Sequence, residues 1–431
     1  MNWKSNYVGK IKTADEAVKL IKSGHRVMIG HACGEPSLLV EAMVRRAPEL
    51  RNVELFHMVC MGKGEYCKEE YKENFYYNGP FAGKGTREAI AAGRGDYVPC
   101  FLSEVPKILE TRLKPDVALI MVSPPDENGM CSFGISSDYT ESVTRRPDTF
   151  VIFQINENMP YTYGTTISLD RADVIVDGTD EVITLNPPKI GEIEKKIGEN
   201  IASLINDGDT LQLGIGAIPD AVLNFLDGKK DLGIHSEMFS DGVLRLARKG
   251  VVNNSKKTLH NGKFVVSFLM GTRDLYDFVD HNEDVLVFPC DYTNNVSIIS
   301  QNDNMVSINS SIQVDLYGQF NSNSIGVNVY SGVGGQVDFI RGCHLSNGGR
   351  AIIALPSTTK NDTISKVVCR LDPGASVTTS RYDARYVVTE YGIADLFGLN
   401  LRQRAKALID IAHPNFREQL EKEAWENSNL R

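Results

Sequence analysis

One pattern occurs twice in the chain, and it constrains the fold more than any other feature. Residues 17–43 read AVKLIKSGHRVMIGHACGEPSLLVEAM, and residues 201–226 read IASLINDGDTLQLGIGAIPDAVLNFL. Each reads as an amphipathic helix, a turn at Gly24 or Gly208, a short strand ending at Gly30 or Gly214, a loop of small residues, and a second helix with proline near its start (Pro36 or Pro219). Glycine lets the backbone leave a strand sharply. Proline is tolerated in the first helical turn because its missing N–H would have no partner there. A repeated helix–strand–helix unit predicts two similar open α/β domains with mainly parallel sheets.

The boundary falls at TLNPPKIGEIEKKIG, where Pro187 and Pro188 forbid a continuous helix. The expected domains are therefore 1–186 and 187–431, the second carrying the candidate chemistry described below. A chain of 431 residues is too long for one ordinary core, which agrees with two domains. The runs VALIMV, TFVIFQI and DVIVDG supply strands to the first half, and FVVSFLM, VLVFPC, RAIIAL and YVVTEYG to the second.

Composition narrows the function classes. The net charge of −9 argues against a general nucleic-acid binder, which needs a basic surface to neutralise phosphates. No apolar run reaches the length of a membrane helix and the opening residues do not resemble a signal peptide, so a cytoplasmic location and no membrane partner are expected. The eight cysteines form no C-x-x-C pair and several sit in apolar runs, which reads as reduced and mostly buried thiols.

The second copy of the repeat carries the candidate site. After its glycine loop and helix comes GIHSEMFSDG, in which Glu237 stands just beyond a short apolar run. A carboxylate at the carboxyl end of a strand in an open α/β sheet lies where such folds place their chemistry. A second glycine cluster, VYSGVGGQVDF (329–339), offers further backbone N–H groups to a substrate. One carboxylate beside two glycine loops suggests covalent acyl chemistry with an oxyanion hole. The plain alternatives are a strand-to-helix turn without a ligand and a solvated surface glutamate. A dinucleotide site is a further reading, with Glu237 on a ribose, but Pro219 stands where the third glycine belongs. In the first copy, aligning His57 with His235 puts Val59 opposite Glu237. Cys33 lacks a Cys-His-Asn order and reads as a small buried thiol. His31, His57 and His235 lack metal-ligand spacing, so no metal is expected. Glu390, Asp126 and Glu127 read as loop residues.

Taken in order along the chain, GHACGEPSLL (30–39), GTREAIAAGRGDYVPCFLSEVP (85–106), SPPDENGMCSFG (123–134), LGIGAIPDAV (213–222), GIHSEMFSDG (233–242), INSSIQVDLYGQFNS (308–322), SGVGGQVDF (331–339), VVTEYGIADLFG (387–398) and RAKALIDIAHPNFREQL (404–420) resemble the acetyl-CoA hydrolase/transferase family of class I coenzyme A transferases. The resemblance spans essentially the whole chain. It implies an active site between the two halves, and closure that excludes water from an activated acyl group. Glu237 matches the family's glutamate, whose carboxylate attacks an acyl-CoA thioester and passes through a mixed anhydride to a glutamyl-CoA thioester. Gly335 matches its oxyanion-hole and CoA-contacting glycine, with Gly334 beside it. Gln212, Leu213, Gly214, Ile215 and Gly216 match its first CoA-binding loop. Asn294 aligns with a polar residue that assists catalysis, with Asn295 the alternative match, and Ile312 falls in a segment bordering CoA.

The implied activity is ping-pong CoA transfer between acetyl-CoA and a short acid, 4-hydroxybutyrate first, with butyryl-CoA:acetate transfer or acetyl-CoA hydrolysis as variants. Coenzyme A then enters as substrate, with no metal or redox cofactor. Partners are acyl-CoA and short carboxylates, and family members are often homodimers. A nicotinamide-dependent oxidoreductase and a non-catalytic CoA-binding protein are the readings from other classes.

Overall fold

The computed structural model describes residues 3–214, 216–359, 361–426 and 430. The chain divides into two compact units, residues 1–186 with 265–293, and residues 187–264 with 294–431. Each is mixed α/β with mainly parallel strands.

The first unit is built on a seven-stranded sheet in the order Val174–Asp177, Phe150–Ile155, Val117–Val122, Arg26–Ile29, Val53–Phe56, Phe75–Gly79, Gly95–Tyr97. All six pairings are parallel. Its interior strand Val117–Val122 is buried along its whole length, as a sheet covered on both faces requires. Val27, Ile29, Leu55 and Leu119 pack with Leu39 and Met43 of the helix Ser37–Arg45 in one apolar core. Each such side chain contributes about 1.5–3 kcal/mol on burial.

The second unit repeats the plan with six strands in the order Gly233–Ile234, Thr210–Leu213, Met305–Ser310, Arg350–Ala354, Tyr386–Thr389, Gly392–Asp395. The first four pairings are parallel and the last is antiparallel. Met305, Ile353 and Val387 join Phe339 and Ile340 of the helix Gln336–Leu345 in its core. In both sheets the first strand, Arg26–Ile29 or Thr210–Leu213, is flanked on one side by the next strand in sequence and on the other by a later one. That reversal opens a crevice at the strands' carboxyl ends, where α/β sheets bind ligands.

The repeat is visible in backbone detail. Gly24 and Gly208 both have φ +80°. A Cβ at Gly24 would meet nothing within 4 Å, and one at Gly208 would meet only the flexible side chain of Lys256, at an ordinary 3.5 Å, so the left-handed turn alone asks for glycine there. The first helices differ. The second copy has the helix Glu192–Ser203, whereas the first has only a four-residue turn, Ala14–Ala17, and a 3-10 turn, Val18–Leu20. Arg46 donates to the carbonyls of Val18 and Ile21, which takes them out of an α-helical ladder.

Two expected strands of the second sheet lie elsewhere. FVVSFLM forms two short strands, Phe264–Val266 and Phe268–Leu269, and VLVFPC supplies Val285–Val287, which pairs with Tyr163–Gly164 of the first unit. From Val265 to Thr293 the chain belongs with the first unit. The place in the second sheet is taken by Met305–Ser310, whose Ser307 and Asn309 interrupt the apolar run. Among the described residues no helix is long and apolar enough to cross a membrane.

Candidate active site

The crevice of the second sheet gathers the loop after Thr210–Leu213 and the segment after Gly233–Ile234. The His235 N–H donates to the Leu211 carbonyl at 3.1 Å, extending the ladder by one step. Ser236 then turns back, its Oγ 3.3 Å from the Leu213 carbonyl, and it also accepts from the Met238 N–H at 3.3 Å. The residue between, Glu237, is half-buried. Glu237 is thus carried by two strand ends whose backbones are tied to each other.

The strand that leads to Glu237 is gripped from outside as well. The Ile234 N–H donates to Asn254 Oδ1 at 2.8 Å. Lys257 Nζ donates to the carbonyls of Ile234 and Lys263, each at 2.7 Å. Lys257 is almost fully buried, and burial pushes its ammonium down to about 7. Neither residue carries a motif; NNSKKTLH reads as a polar surface loop, and only the tertiary fold reveals its hold on the strand.

Asn294 is fully buried, and its Nδ2 donates to Glu237 Oε2 at 3.0 Å. Asn295 is exposed and caps the helix Val296–Ile299 by accepting from the Ser297 N–H. Of the two asparagines the fold brings Asn294 to the carboxylate. Gly335 precedes the helix Gln336–Leu345, and a Cβ there would stand 2.1 Å from both Glu237 Oε2 and Asn294 Nδ2. No side chain fits that approach. At Gly334, with φ +56°, an added Cβ would stand 3.8 Å from Glu237 Oε1. The amino end of a helix therefore meets the carboxylate, which favours negative charge.

The first glycine loop is less uniform. Gly214 N–H bonds to the Ile308 carbonyl at 3.3 Å, and Gly216, with φ +119°, starts the helix Ala217–Asn224. Gln212 and Leu213 are buried strand residues; the Gln212 amide pairs with Asn309 (Asn309 Nδ2 to Gln212 Oε1, 3.1 Å) and leaves only backbone to offer a ligand. Ile215 lies outside the described residues. Ile312 is half-buried, its N–H bonded to the Asn321 carbonyl at 2.9 Å, just beyond the strand Met305–Ser310. In the first turn of Ala217–Asn224, burial and the neighbouring Asp241 push the Asp220 carboxyl up to about 6.

The other candidates are placed as follows. Burial pushes the Cys33 thiol up to about 11, away from thiolate chemistry. His31 Nδ1 lies 3.0 Å from Asp138 Oδ2, and His235 is buried with its ring edge-on to Phe339. Glu390 accepts from the N–H and hydroxyl of Ser357, and Asp126 from the N–H groups of Asn128 and Met130.

The chain matches the acetyl-CoA hydrolase/transferase N-terminal domain over residues 1–187 and the C-terminal domain of the same name over residues 271–424. It is 56% identical over 422 residues to a 4-hydroxybutyrate coenzyme A transferase of Clostridium kluyveri, covering 97% of this chain and 98% of that protein. Among solved structures it is similar to RipA from Yersinia pestis, with a TM-score of 0.94, 34% identity and 99% of each chain covered. It is also similar to a 4-hydroxybutyrate CoA-transferase from Porphyromonas gingivalis, with a TM-score of 0.85, 41% identity, and 99% of this chain and 100% of that chain covered.

Proposed function

Because the chain belongs to the acetyl-CoA hydrolase/transferase family, we propose that it is a CoA-transferase that moves CoA between acetyl-CoA and a short carboxylic acid, 4-hydroxybutyrate first, with Glu237 as the covalent centre. The observation that carries this reading is the meeting of Glu237, Asn294 and Gly335 at the carboxyl ends of the second sheet.

In the first step a Glu237 oxygen attacks the thioester carbonyl, the C–S bond breaks and CoA leaves as thiolate. The product is an acyl-glutamyl anhydride. The thiolate then attacks the glutamyl carbonyl, releasing acetate and leaving a glutamyl-CoA thioester. The second acid attacks that thioester through its own carboxylate, forms a new anhydride and frees the thiolate again. Attack of the thiolate on the acyl carbonyl gives the new acyl-CoA and restores Glu237. An anhydride and a thioester are both activated acyl groups, so activation survives each exchange unless water intervenes. All electron pairs come from carboxylate and thiolate, and the steps ask for no redox cofactor.

Asn294 orients the carboxylate by holding one oxygen, leaving the other to attack. The backbone at Gly334 and Gly335 and the amino end of the following helix are suited to the charge that develops on the carbonyl oxygen. Gln212, Leu213, Gly214 and Gly216, at and just beyond the end of the strand Thr210–Leu213, and Ile312, just beyond the strand Met305–Ser310, are assigned to CoA, and Ile215 is assigned with them from the sequence. A 4-hydroxybutyrate preference over butyrate rests on one hydroxyl. Such a group decides selectivity strongly only where the pocket hydrogen-bonds it.

Incubation with acetyl-CoA followed by borohydride tests the covalent step. Reduction of a glutamyl thioester converts Glu237 to an alcohol, and intact mass with peptide mapping places the loss. Loss at Glu237 in the parent and none in Glu237→Gln is expected. Consumption of acetyl-CoA without that loss assigns the chemistry to hydrolysis or another nucleophile.

A further inference from the structure

The loops that carry the glycine cluster and Glu237 in the second unit have counterparts in the first, and these hold a different set of groups. Glu35 follows the strand Arg26–Ile29, while His57 and Cys60 follow Val53–Phe56. One carboxylate oxygen, one ring nitrogen and the thiol sulfur of these three buried residues lie within 4.8 Å of one another.

Their partners orient them toward a common point. His57 Nδ1 is 2.7 Å from the Tyr66 hydroxyl, while Nε2, on a fully buried ring, makes no hydrogen bond of good geometry among the described residues, although the Gly30 backbone faces the ring. Nε2 is 3.8 Å from Glu35 Oε2, which itself accepts from the Gly62 N–H at 2.9 Å. A Cβ on Gly62 would stand 2.2 Å from Glu35 Oε1, so the backbone there is shaped around the carboxyl group.

The 3.8 Å between Nε2 and Oε2 bears on what can join the two groups. It exceeds the range of about 2.7–3.2 Å for a hydrogen bond with nitrogen as donor. Two donors on one tetrahedral ion, with bonds of about 2.0–2.2 Å, sit roughly 3.4 Å apart, so a few tenths of an ångström of closure suffice. The Cys60 sulfur lies within 4.8 Å of both other donor atoms. We propose that Glu35, His57 and Cys60 bind one divalent transition-metal ion, of the zinc type, as a clamp between the two loops. A carboxylate, an imidazole and a thiolate form a mixed donor set suited to zinc. Tyr66 on the far ring nitrogen and Gly62 on the carboxylate are the outer partners that such ligands ordinarily have. Burial without an ion pushes the Glu35 carboxyl up to about 7 and the Cys60 thiol up to about 12, and a cation supplies the charge that both anionic ligands need. A cavity of about 340 Å³, lined by Glu35, Met61, Gly62 and Lys63 among others, reaches the Glu35 side of the cluster.

The role proposed for the ion is structural, tying together two loops of the first unit. The test uses the full chain, stripped with a chelator and titrated with Co²⁺ and then Zn²⁺. One cobalt per chain is expected, with the near-ultraviolet charge-transfer band of a thiolate ligand and the visible bands of a tetrahedral ion. Zinc should displace it, stay bound through gel filtration at one ion per chain by elemental analysis, and raise the unfolding temperature. Cys60→Ser should abolish the charge-transfer band, and Glu35→Gln, which keeps the side-chain size, should weaken binding at least about tenfold. If Cys60→Ser does not fold, Glu35→Gln is read from the same spectra. No cobalt uptake by the stripped parent, or a spectrum and affinity unchanged in Glu35→Gln, overturns the proposal.

Discussion

Asn294 Nδ2 donates to Glu237 Oε2 at 3.0 Å, and Asn294 is fully buried where it does so. A buried amide fixed on one oxygen of a half-buried carboxylate orients the group without neutralising it. Asn294→Ala should lower kcat by about 100-fold with little change in the KM for acyl-CoA, as expected when a reacting group loses its alignment. Asn294→Asp should be worse at neutral pH, because a second anion repels the incoming acid, and should recover partly on acidification. Steady-state kinetics of both variants across pH check this; an Asn294→Ala enzyme with parental kcat would remove the orienting role.

Gly335 admits no side chain. With 2.1 Å between an added Cβ and both Glu237 Oε2 and Asn294 Nδ2, Gly335→Ala must push the carboxylate and the amide apart or move the start of the helix Gln336–Leu345. Borohydride labelling of Glu237 should fall at least about 100-fold while circular dichroism stays parental. Gly334→Ala is a different lesion. Its Cβ has room at 3.8 Å from Glu237 Oε1, but φ is +56°, so the expected cost is about 1–2 kcal/mol of stability with much of the labelling retained. Equal loss of labelling in both variants would show that backbone strain, not close approach, governs the loop.

Lys257 gives the second unit a pH dependence. Burial holds its ammonium down at about 7 in the folded chain, against about 10.4 when unfolded. Between these values the unfolded chain binds more protons, so this group makes stability rise with pH from about 7 upward, by at most about 1.4 kcal/mol per pH unit. Below 7 both states are protonated and the slope vanishes. The two carbonyl acceptors favour the charged form and oppose the desolvation, so the measured slope should lie below that ceiling. Lys257→Met should flatten the curve between pH 7 and 10 in denaturant titrations. It should also lower kcat, because the strand carrying Glu237 loses one of its two outer grips. A pH slope unchanged in Lys257→Met would assign the titration elsewhere.

The repeat, and the position of Glu237 just beyond a strand end, are legible because both are local. Glycine turns, a strand and a proline-started helix each leave a short signature, and the carboxylate follows them at a fixed place. Sheet membership was not legible. FVVSFLM and VLVFPC read correctly as short extended runs, yet apolar character does not say which sheet will accept a strand, and Val265–Thr293 packs with the first unit. Met305–Ser310 does not stand out as a strand because Ser307 and Asn309 dilute its apolar run, although it lies inside the second sheet. Asn294 and Asn295 are neighbours of one residue type, and only burial separates the one that reaches Glu237 from the one that caps a helix. Lys257 reads as a surface lysine until two carbonyls are seen to accept its hydrogen bonds. Glu35, His57 and Cys60 come from two loops and meet only through the crossover between Arg26–Ile29 and Val53–Phe56, so no single spacing announces them.

The two copies of the repeat can be compared directly through their first glycines. Gly24 and Gly208 share φ +80°, and a Cβ at either has room, with nothing within 4 Å at Gly24 and only the Lys256 side chain at 3.5 Å from Gly208. Alanine at these positions therefore adds backbone strain without a clash. Gly24→Ala and Gly208→Ala should each destabilise by about 1–2 kcal/mol. The close match of the two costs is the point of the test, because it isolates a conformational requirement common to both units from the packing around it. The readout must resolve the units, so hydrogen exchange with peptide-level analysis is preferred to a single melting curve. Gly24→Ala should speed exchange in the strand Arg26–Ile29 and its neighbours, and Gly208→Ala in Thr210–Leu213 and its neighbours. A cost confined to one copy would mean that the shared turn is not what both units need from glycine.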